Sequence, residues 1–462
     1  MFAQKKDTPN IILIFMDDMG NGDLSMTGAL EYQTPVIDKL AHDGLRFTNF
    51  LSAQAVCSAS RAGLLTGCYP NRIGITGALF PNSKKGIHPD ETTMAELLKQ
   101  KGYATAIVGK WHLGDSPEFL PLEHGFDEFF GIPYSNDMWP VDYNGGPAND
   151  WRKDSFPPLF IMEGNEKKIP INTLDDQAQL TKRYTERAIE FIKRKKNKPF
   201  FLYMPHSMPH VPINASAQFK GKSKQGLYGD VMMEIDWSVG EILKVVKANG
   251  IEENTLIIFT SDNGPWLNYG NHAGSTGGLR EGKGTSFEGG VRVPCIMHWP
   301  GVIKEGLISN SLSSTIDLYP TLADLLELKI PSQKIDGVSL LSILKGDIAA
   351  QPRKEFYYYY RTNSLEAVRL DDWKLVLAHP SRTYENFEAG INGYPGKADE
   401  NSPVKQALYD LRRDPGERYD VQSQFPEIVK ELQTLADKAR EDLGDDIVKI
   451  PGKNRREAGM IK

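Results

Sequence analysis

The segment VCSASRAGLLTG (56–67) sets Cys57 and Arg61 four residues apart. Ser58 and Ser60 suit the first turn of a helix and Gly67 suits its stop, so the spacing predicts a helix with both groups on one face. That arrangement puts a thiol at the positive end of a helix with a guanidinium one turn away. A cysteine that is simply a small buried side chain is the ordinary alternative. Elsewhere, Asp17 and Asp18 in IFMDDMG and Asp262 and Asn263 in FTSDNGP supply carboxylate and amide oxygens. Such a hard-oxygen set suits Ca²⁺ or Mg²⁺ rather than zinc, which prefers histidine or thiolate. Arg61, Lys110, His112, His210 and Lys283 add basic groups. A divalent metal among several cations is equipped to bind a tetrahedral oxyanion and to stabilise charge during its transfer. Singly, each group has a plainer reading: helix caps for Asp17-Asp18, a turn for Asp262-Asn263-Gly264, structural roles for His112 and His210. Jointly they argue for a site, because of where the chain places them.

Four short apolar runs read as buried parallel strands: Ile11 to Met16, Ala104 to Val108, Phe200 to Met204 and Leu256 to Thr260. Each runs straight into chemistry: Asp17-Asp18 after the first, Lys110 and His112 after the second, His206 and His210 after the third, Asp262-Asn263 after the fourth. Helical patterns such as TTMAELLKQKG and RYTERAIEFIKRKK lie between them. The alternation predicts an α/β fold, a large and mostly parallel sheet flanked by helices, whose ligands bind beyond the carboxyl ends of the strands.

At 462 residues the chain is long enough for one large domain and a second, smaller one. A net charge of −6 argues against nucleic acid as a partner, without forbidding a locally positive cleft for a small anion. The three cysteines, Cys57, Cys68 and Cys295, form no C-x-x-C pair, which speaks against a zinc-thiolate site or a disulfide framework. No apolar run approaches membrane-spanning length. The start, MFAQKKDTPN, lacks the apolar core of a signal peptide. Phe2-Ala3 before Gln4 resembles the residues around a signal-peptidase cut, with an initiator Met added. The expectation is a periplasmic or secreted protein in mature form. The glycines around Lys283, in GLREGKGTSFEGG, match neither phosphate-loop pattern, so nucleotide binding has little support.

CSASRAGLLTG (57–67) resembles the signature of the type I sulfatases, of the arylsulfatase A and N-acetylgalactosamine-6-sulfatase type. The resemblance continues, in the family's order, through PNIILIFMDDMG, VGKWHLG, GFDEFFGIPYSND, SDNGP, GKGTSFEGGVRVP and LYDLRRDPGE. It implies an alkaline phosphatase-like fold and a cysteine oxidised by a formylglycine-generating enzyme. The hydrated aldehyde at Cys57 would then be the nucleophile: one oxygen accepts the sulfuryl group, and the other loses its proton to expel sulfate. A serine there would be left holding a stable ester. By the same resemblance Asp17, Asp18, Asp262, Asn263 and the modified Cys57 are Ca²⁺ ligands, and Arg61 steadies the formylglycine and the carboxylates. Lys110, His210 and Lys283 bind sulfate, with Lys283 or His210 protonating the leaving alcohol. His112 is the base of the elimination step, Ser135 a hydroxyl near the sulfate, and His206 a supporting residue. Cys68 stands where many relatives have a basic residue, beyond the helix stop.

After Gln351-Pro352 the pattern changes to antiparallel strands in EFYYYYR, EAVRLDDWKLVLA and ALYDLRRDPGE, then a helix from Pro426 to Leu443. The expected division is a catalytic part, 1–350, and a C-terminal part, 351–462, with its own antiparallel sheet plus helix. The Tyr357–Tyr360 run reads as a strand with one buried face. Two irregular stretches, 136–158 and 379–403, are long enough to serve function. The first carries Trp139, Tyr143 and Trp151, which would stack on sugar rings, and Arg152 for an anionic group; aromatics that merely pin the loop are the alternative. The substrate expected is a sulfated carbohydrate. The competing reading is a phosphomonoesterase or phosphonate monoester hydrolase, which would want a histidine beside the third carboxylate where Asn263 stands. A binding protein that kept the fold but lost catalysis would have dispensed with Cys57, His112 or Lys283.

Overall fold

The structure is a computed structural model and describes residues 8–461. Phe2, Ala3 and Gln4, on which the expectation of export rests, lie outside them. Five strands form the parallel centre of a ten-stranded sheet: β1 (Asn10–Met16), β2 (Ala104–Val108), β3 (Glu128–Gly131), β4 (Phe200–Pro205) and β5 (Thr255–Ser261), in the order β5-β1-β4-β2-β3. β1 is NIILIFM, buried at every position, as a strand covered on both faces requires. The strands flanking this centre are antiparallel to it: Cys295–His298 pairs with β5, and Leu159–Glu163 pairs with β3. The sheet is therefore parallel at its core and mixed overall.

The α-helices longer than one turn are α1 (Pro35–His42), α2 (Cys57–Thr66), α3 (Met94–Lys99), α4 (Leu180–Lys195), α5 (Leu227–Ala248), α6 (Leu318–Leu325) and α7 (Pro426–Leu443). Side chains of β1 alternate between two cores. Ile12, Ile14 and Met16 pack with apolar residues of α1, α4 and α5. Ile11, Leu13 and Phe15 pack with residues of α2, α3 and α6. The result is a helix–sheet–helix sandwich.

The smaller antiparallel sheet contains β6 (Glu355–Tyr360), β7 (Ser364–Leu370), β8 (Trp373–Val376) and β9 (Ala407–Asp410), paired in that order. α7 lies against it. Tyr357, Tyr358 and Tyr359 are all buried, so β6 has two covered faces rather than the expected one. Tyr359 donates to carbonyls of Ala439 and Gly444 at the end of α7, while Tyr358 donates to Glu288 of the large part. The stretch 379–403 is not irregular throughout: His379–Thr383 and Asp399–Val404 pair as an antiparallel hairpin. Among the described residues no helix is long and apolar enough to cross a membrane.

Candidate active site

Strand register assembles the site. Met16 pairs with Ser261 and Phe15 with Pro205, so Asp17-Asp18 emerge beside Asp262-Asn263 and the His206–His210 loop. Lys110 joins them because its N–H donates to the Pro205 carbonyl at 2.7 Å. Gly109 before it has φ +139°, and a Cβ there would lie 1.9 Å from the Pro205 oxygen. No other residue allows that approach.

α2 brings Cys57 and Arg61 in from the side, and all ten of its residues are buried. Gly67 ends it in the left-handed conformation, as its position predicted. Arg61 donates to Asp262 Oδ2 at 2.8 Å and lies 3.2 Å from Asp17 Oδ2. The Lys110 ammonium joins Asp17 to Ser135 Oγ, the latter at 3.0 Å. Lys283 Nζ donates to Asp18 at 2.9 Å and to Cys57 Sγ at 3.3 Å, and the Cys57 thiol donates to Asp17 Oδ1 at 3.5 Å. Three buried carboxylates thus face three buried cations.

Charge is unevenly held within this cluster. Burial would raise Asp17, but Lys110 and Arg61 hold it well below the usual carboxylate range. Burial and the Asp17 charge raise Asp18, and push Asp262 up to about 7. Burial pushes the Cys57 thiol well up, against the pull of Lys110 and Lys283.

The two expected histidines differ in tautomer. His112 Nε2 lies 2.8 Å from the Leu79 carbonyl, which can only accept, so Nε2 carries the hydrogen. Nδ1 is then a bare lone pair, buried and without a partner. Burial, with Lys110 and Arg61 nearby, holds His112 well below the usual histidine range, so it is neutral. His210 donates from Nδ1 to the Val211 carbonyl and turns Nε2 toward Asp18 Oδ2, 3.6 Å away. Asp18 and His112 both have positive φ, 63° and 65°, strained backbone of the kind that collects at functional sites.

Ligand atoms of Asp17, Asp18, Cys57 and His210 lie within 4.8 Å of one another. Asp262, expected among the metal ligands, stands outside that group, its oxygens taken by the Asp18 N–H and by Arg61. Asn263 donates from Nδ2 to Asp18 at 2.7 Å, and its Oδ1 is buried without a partner. Asp17 and Asp18 supply two carboxylate oxygens and an orphaned amide oxygen stands beside them, so these residues fit a hard divalent cation.

Above the cluster opens a cavity of about 380 Å³, the size of a small-molecule site. Cys57, His112, Ser135, His210 and Lys283 line it. Arg61 and Lys110 do not, and Lys110 meets it only through Ser135. His206 is away from it, buried, with neither ring nitrogen partnered. Trp139 is a correction: it is 2% exposed and packs in the core, so it offers no face to a sugar. Trp151, 60% exposed, lines the cavity with Tyr143, and the Arg152 guanidinium lies 4.2 Å from the Tyr143 ring centre. Cys68 and Cys295 are free, buried and off the cavity.

Several lining residues escaped sequence reasoning. Asp137 and Trp266 stand two and three residues beyond expected positions, a signal that was available. Tyr360 and Arg361 end the EFYYYYR run, which reads as a strand rather than a sugar platform, and Arg382 lies in the 379–403 stretch, where nothing singles it out. The same hairpin grips the loop around Lys283: Tyr384 OH donates to the Lys283 carbonyl, and the Tyr384 N–H donates to Glu281 at 2.9 Å.

Known proteins resemble this chain in sequence and fold. The Sulfatase family model matches residues 9–328, and a model of the C-terminal region of aryl-sulfatase matches 351–454. N-acetylgalactosamine-6-sulfatase of Mus musculus is 42% identical over 435 residues, 89% of this chain and 81% of that protein. Arylsulfatase A of Homo sapiens is 37% identical over 453 residues, 92% of this chain and 87% of that protein. The crystal structure of PsFucS1 sulfatase from Pseudoalteromonas sp. superposes with a TM-score of 0.83 at 29% identity, covering 96% of this chain and 92% of that one. The chain belongs to the sulfatase family and is a sulfuric ester hydrolase.

Proposed function

We propose that the protein removes sulfate from a sulfated carbohydrate, with formylglycine derived from Cys57 as nucleophile and Ca²⁺ as its metal. The observation that carries this reading is Cys57 at the floor of the cavity with Lys283 Nζ 3.3 Å from its sulfur. With its thiol pushed up by burial, an unmodified Cys57 would be protonated and a poor nucleophile at neutral pH. A hydrated aldehyde at this position supplies a hydroxyl to accept the sulfuryl group and a second whose ionisation expels sulfate. Asp17, Asp18, Asp262, Asn263 and residue 57 would hold Ca²⁺, which would supply charge against the sulfate oxygens; Asp262 would have to turn an oxygen from its present donors to join them.

The side chains divide the remaining work. Ser135, Lys110, His210 and Lys283 bind and orient the sulfate, Ser135 and Lys110 acting as the pair their hydrogen bond makes. Lys283 gives a proton to the leaving alcohol; His210, whose hydrogen sits on Nδ1 at the Val211 carbonyl, would first have to take up a proton at Nε2 to do the same. His112 Nδ1, neutral and unpartnered, takes the proton of the elimination step. Arg61 keeps Asp17 and Asp262 in place from beneath. The exposed Trp151 and the Tyr143 face support a sugar as the alcohol, and the 6-sulfated N-acetylgalactosamine named for the mouse relative is the first substrate to try. Maturation by a formylglycine-generating enzyme, a periplasmic or secreted location and the division at residue 350 belong to the same reading.

The test combines the mass of the Cys57 peptide with sulfate release from a panel of sulfated mono- and oligosaccharides, an aryl sulfate and an aryl phosphate. Aldehyde-bearing protein should release sulfate from a defined sugar linkage and lose that activity on chelation, regaining it with Ca²⁺. Phosphate turnover without sulfate turnover, from protein with a verified aldehyde, reverses the reading.

A further inference from the structure

Three arginines line the cavity, and two are neutralised. Arg152 pairs with Asp142 and Asp150, each at 2.7 Å. Arg382 lies 3.0 Å from the Glu400 carboxylate. Arg361 is different. Its Nη1 donates to the Asn401 side-chain oxygen at 3.3 Å and its Nη2 to the main-chain oxygen of Glu400, both neutral acceptors. Among the described residues it has no carboxylate partner, and its Nε is buried without an acceptor. Its backbone adds a second peculiarity: Arg361 has φ +53° in the turn between β6 and β7, a conformation that carries a cost for any residue with a Cβ. A long cation is thus fixed at the cavity wall by neutral contacts that hold its guanidinium without offsetting its charge.

We propose that Arg361 is a specificity-determining residue that receives a second anionic group of the substrate, a carboxylate or a further sulfate on the sugar or its neighbour. The inference rests on the carbohydrate reading above and deepens it. The floor of the cavity carries the groups that take the scissile sulfate, and the wall carries one uncompensated positive charge. The exposed aromatic face of Trp151 and the Tyr143 ring line the same cavity. A guanidinium forms paired, charge-assisted hydrogen bonds with both carboxylate and sulfate, and is worth most where water is largely excluded. A substrate with one anion would leave that charge unmatched.

Three substrates test this: one 6-sulfated galactosaminide with a neutral neighbouring sugar, the same with a neighbouring uronate, and the same with a second sulfate ester. In the native enzyme at least one doubly charged substrate should exceed the neutral one in kcat/KM by about tenfold, the weight of a charged hydrogen bond. Arg361→Gln should collapse that ratio toward one, and Arg361→Lys should restore part of it. The advantage should also shrink with added salt. Because the ratio is taken within one preparation, a variant that folds poorly does not disturb it. Which charged substrate gains tells carboxylate from sulfate. An equal ratio in native enzyme and Arg361→Gln, with sulfate still released from all three, overturns the role of Arg361 alone. No sulfate release from any sugar overturns the carbohydrate reading, and this inference with it.

Discussion

His112 is the residue whose chemistry is most sharply defined by its surroundings. With Nε2–H committed to the Leu79 carbonyl, Nδ1 is left as an unpartnered base that burial keeps unprotonated. His112→Gln keeps an amide donor for Leu79 but loses the base. Steady-state sulfate release should fall by roughly 10²- to 10⁴-fold. If His112 serves elimination rather than cleavage of the ester, the first equivalent of alcohol should still appear quickly. A burst of one alcohol per enzyme followed by arrest is therefore the expected progress curve, and a uniformly slow curve would move His112 to the first step. At this scale the sequence was informative, because Asp17, Lys110 and Asp262 come within two residues of apolar runs, and His210 in the loop after another, and a parallel sheet must align the ends of those runs. It was misleading at Trp139, since facing the core or the cavity depends on the path of the 136–158 loop, which no periodicity records. Arg361 was illegible for another reason: it reaches the cavity from a turn whose neighbours in space are remote in sequence.

Elements of the C-terminal part help to hold the loop that carries Lys283. Lys374 on β8 is wholly buried and donates to the Ser286 carbonyl at 2.7 Å, just beyond Lys283. It is also 2.8 Å from Glu417 and 3.2 Å from Glu288, both buried. Burial would raise Glu288, but Arg292 and Lys374 hold it well below the usual range. Replacing Lys374 with methionine strands buried carboxylate charge, so Lys374→Met should cost about 3–5 kcal/mol in urea unfolding. Lys374→Met combined with Glu417→Gln should recover part of that loss. Additive losses would mean that the three groups do not act as one network. None of this was legible beforehand: ALYDLRRDPGE reads as a strand and a turn, and nothing local says that Glu417 meets Lys374 and the N–H of Glu288. The central strands were legible for the opposite reason, their apolar runs being continuous. Margin strands such as Glu166–Ile171, EKKIPI, are largely exposed and interrupted by proline, and they carry no such pattern.

For the molecule as a whole, two buried histidines outside the cavity tie folding to pH. Burial lowers His124 to about 4 and His206 to about 3, against about 6.5 in an unfolded chain. Between those values the unfolded state binds a proton that the folded state refuses, so stability rises with pH. Each histidine's contribution is complete above about pH 6.5 and is lost as pH falls toward its folded value, at roughly 1.4 kcal/mol per unit. Asp23 works in the opposite sense. Burial raises it to about 7, despite bonds from the Ser275 and Gly20 N–H groups and the Tyr228 hydroxyl. Its folded form holds a proton that the unfolded form releases near pH 4, so its contribution is present in acid and fades as pH rises through about 7. Urea unfolding at several values from pH 4.5 to 6.5 separates the two through slopes, which tolerate the constant cost of any buried substitution. His124→Gln should lower the slope of stability against pH by roughly 1.4 kcal/mol per unit, and Asp23→Asn should raise it by a comparable amount. Parallel curves for native protein and His124→Gln would mean that His124 is already protonated in the fold. A buried imidazolium beside the Trp111 ring, with which it stacks at 6.0 Å, would then have to be accounted for by a partner other than burial allows.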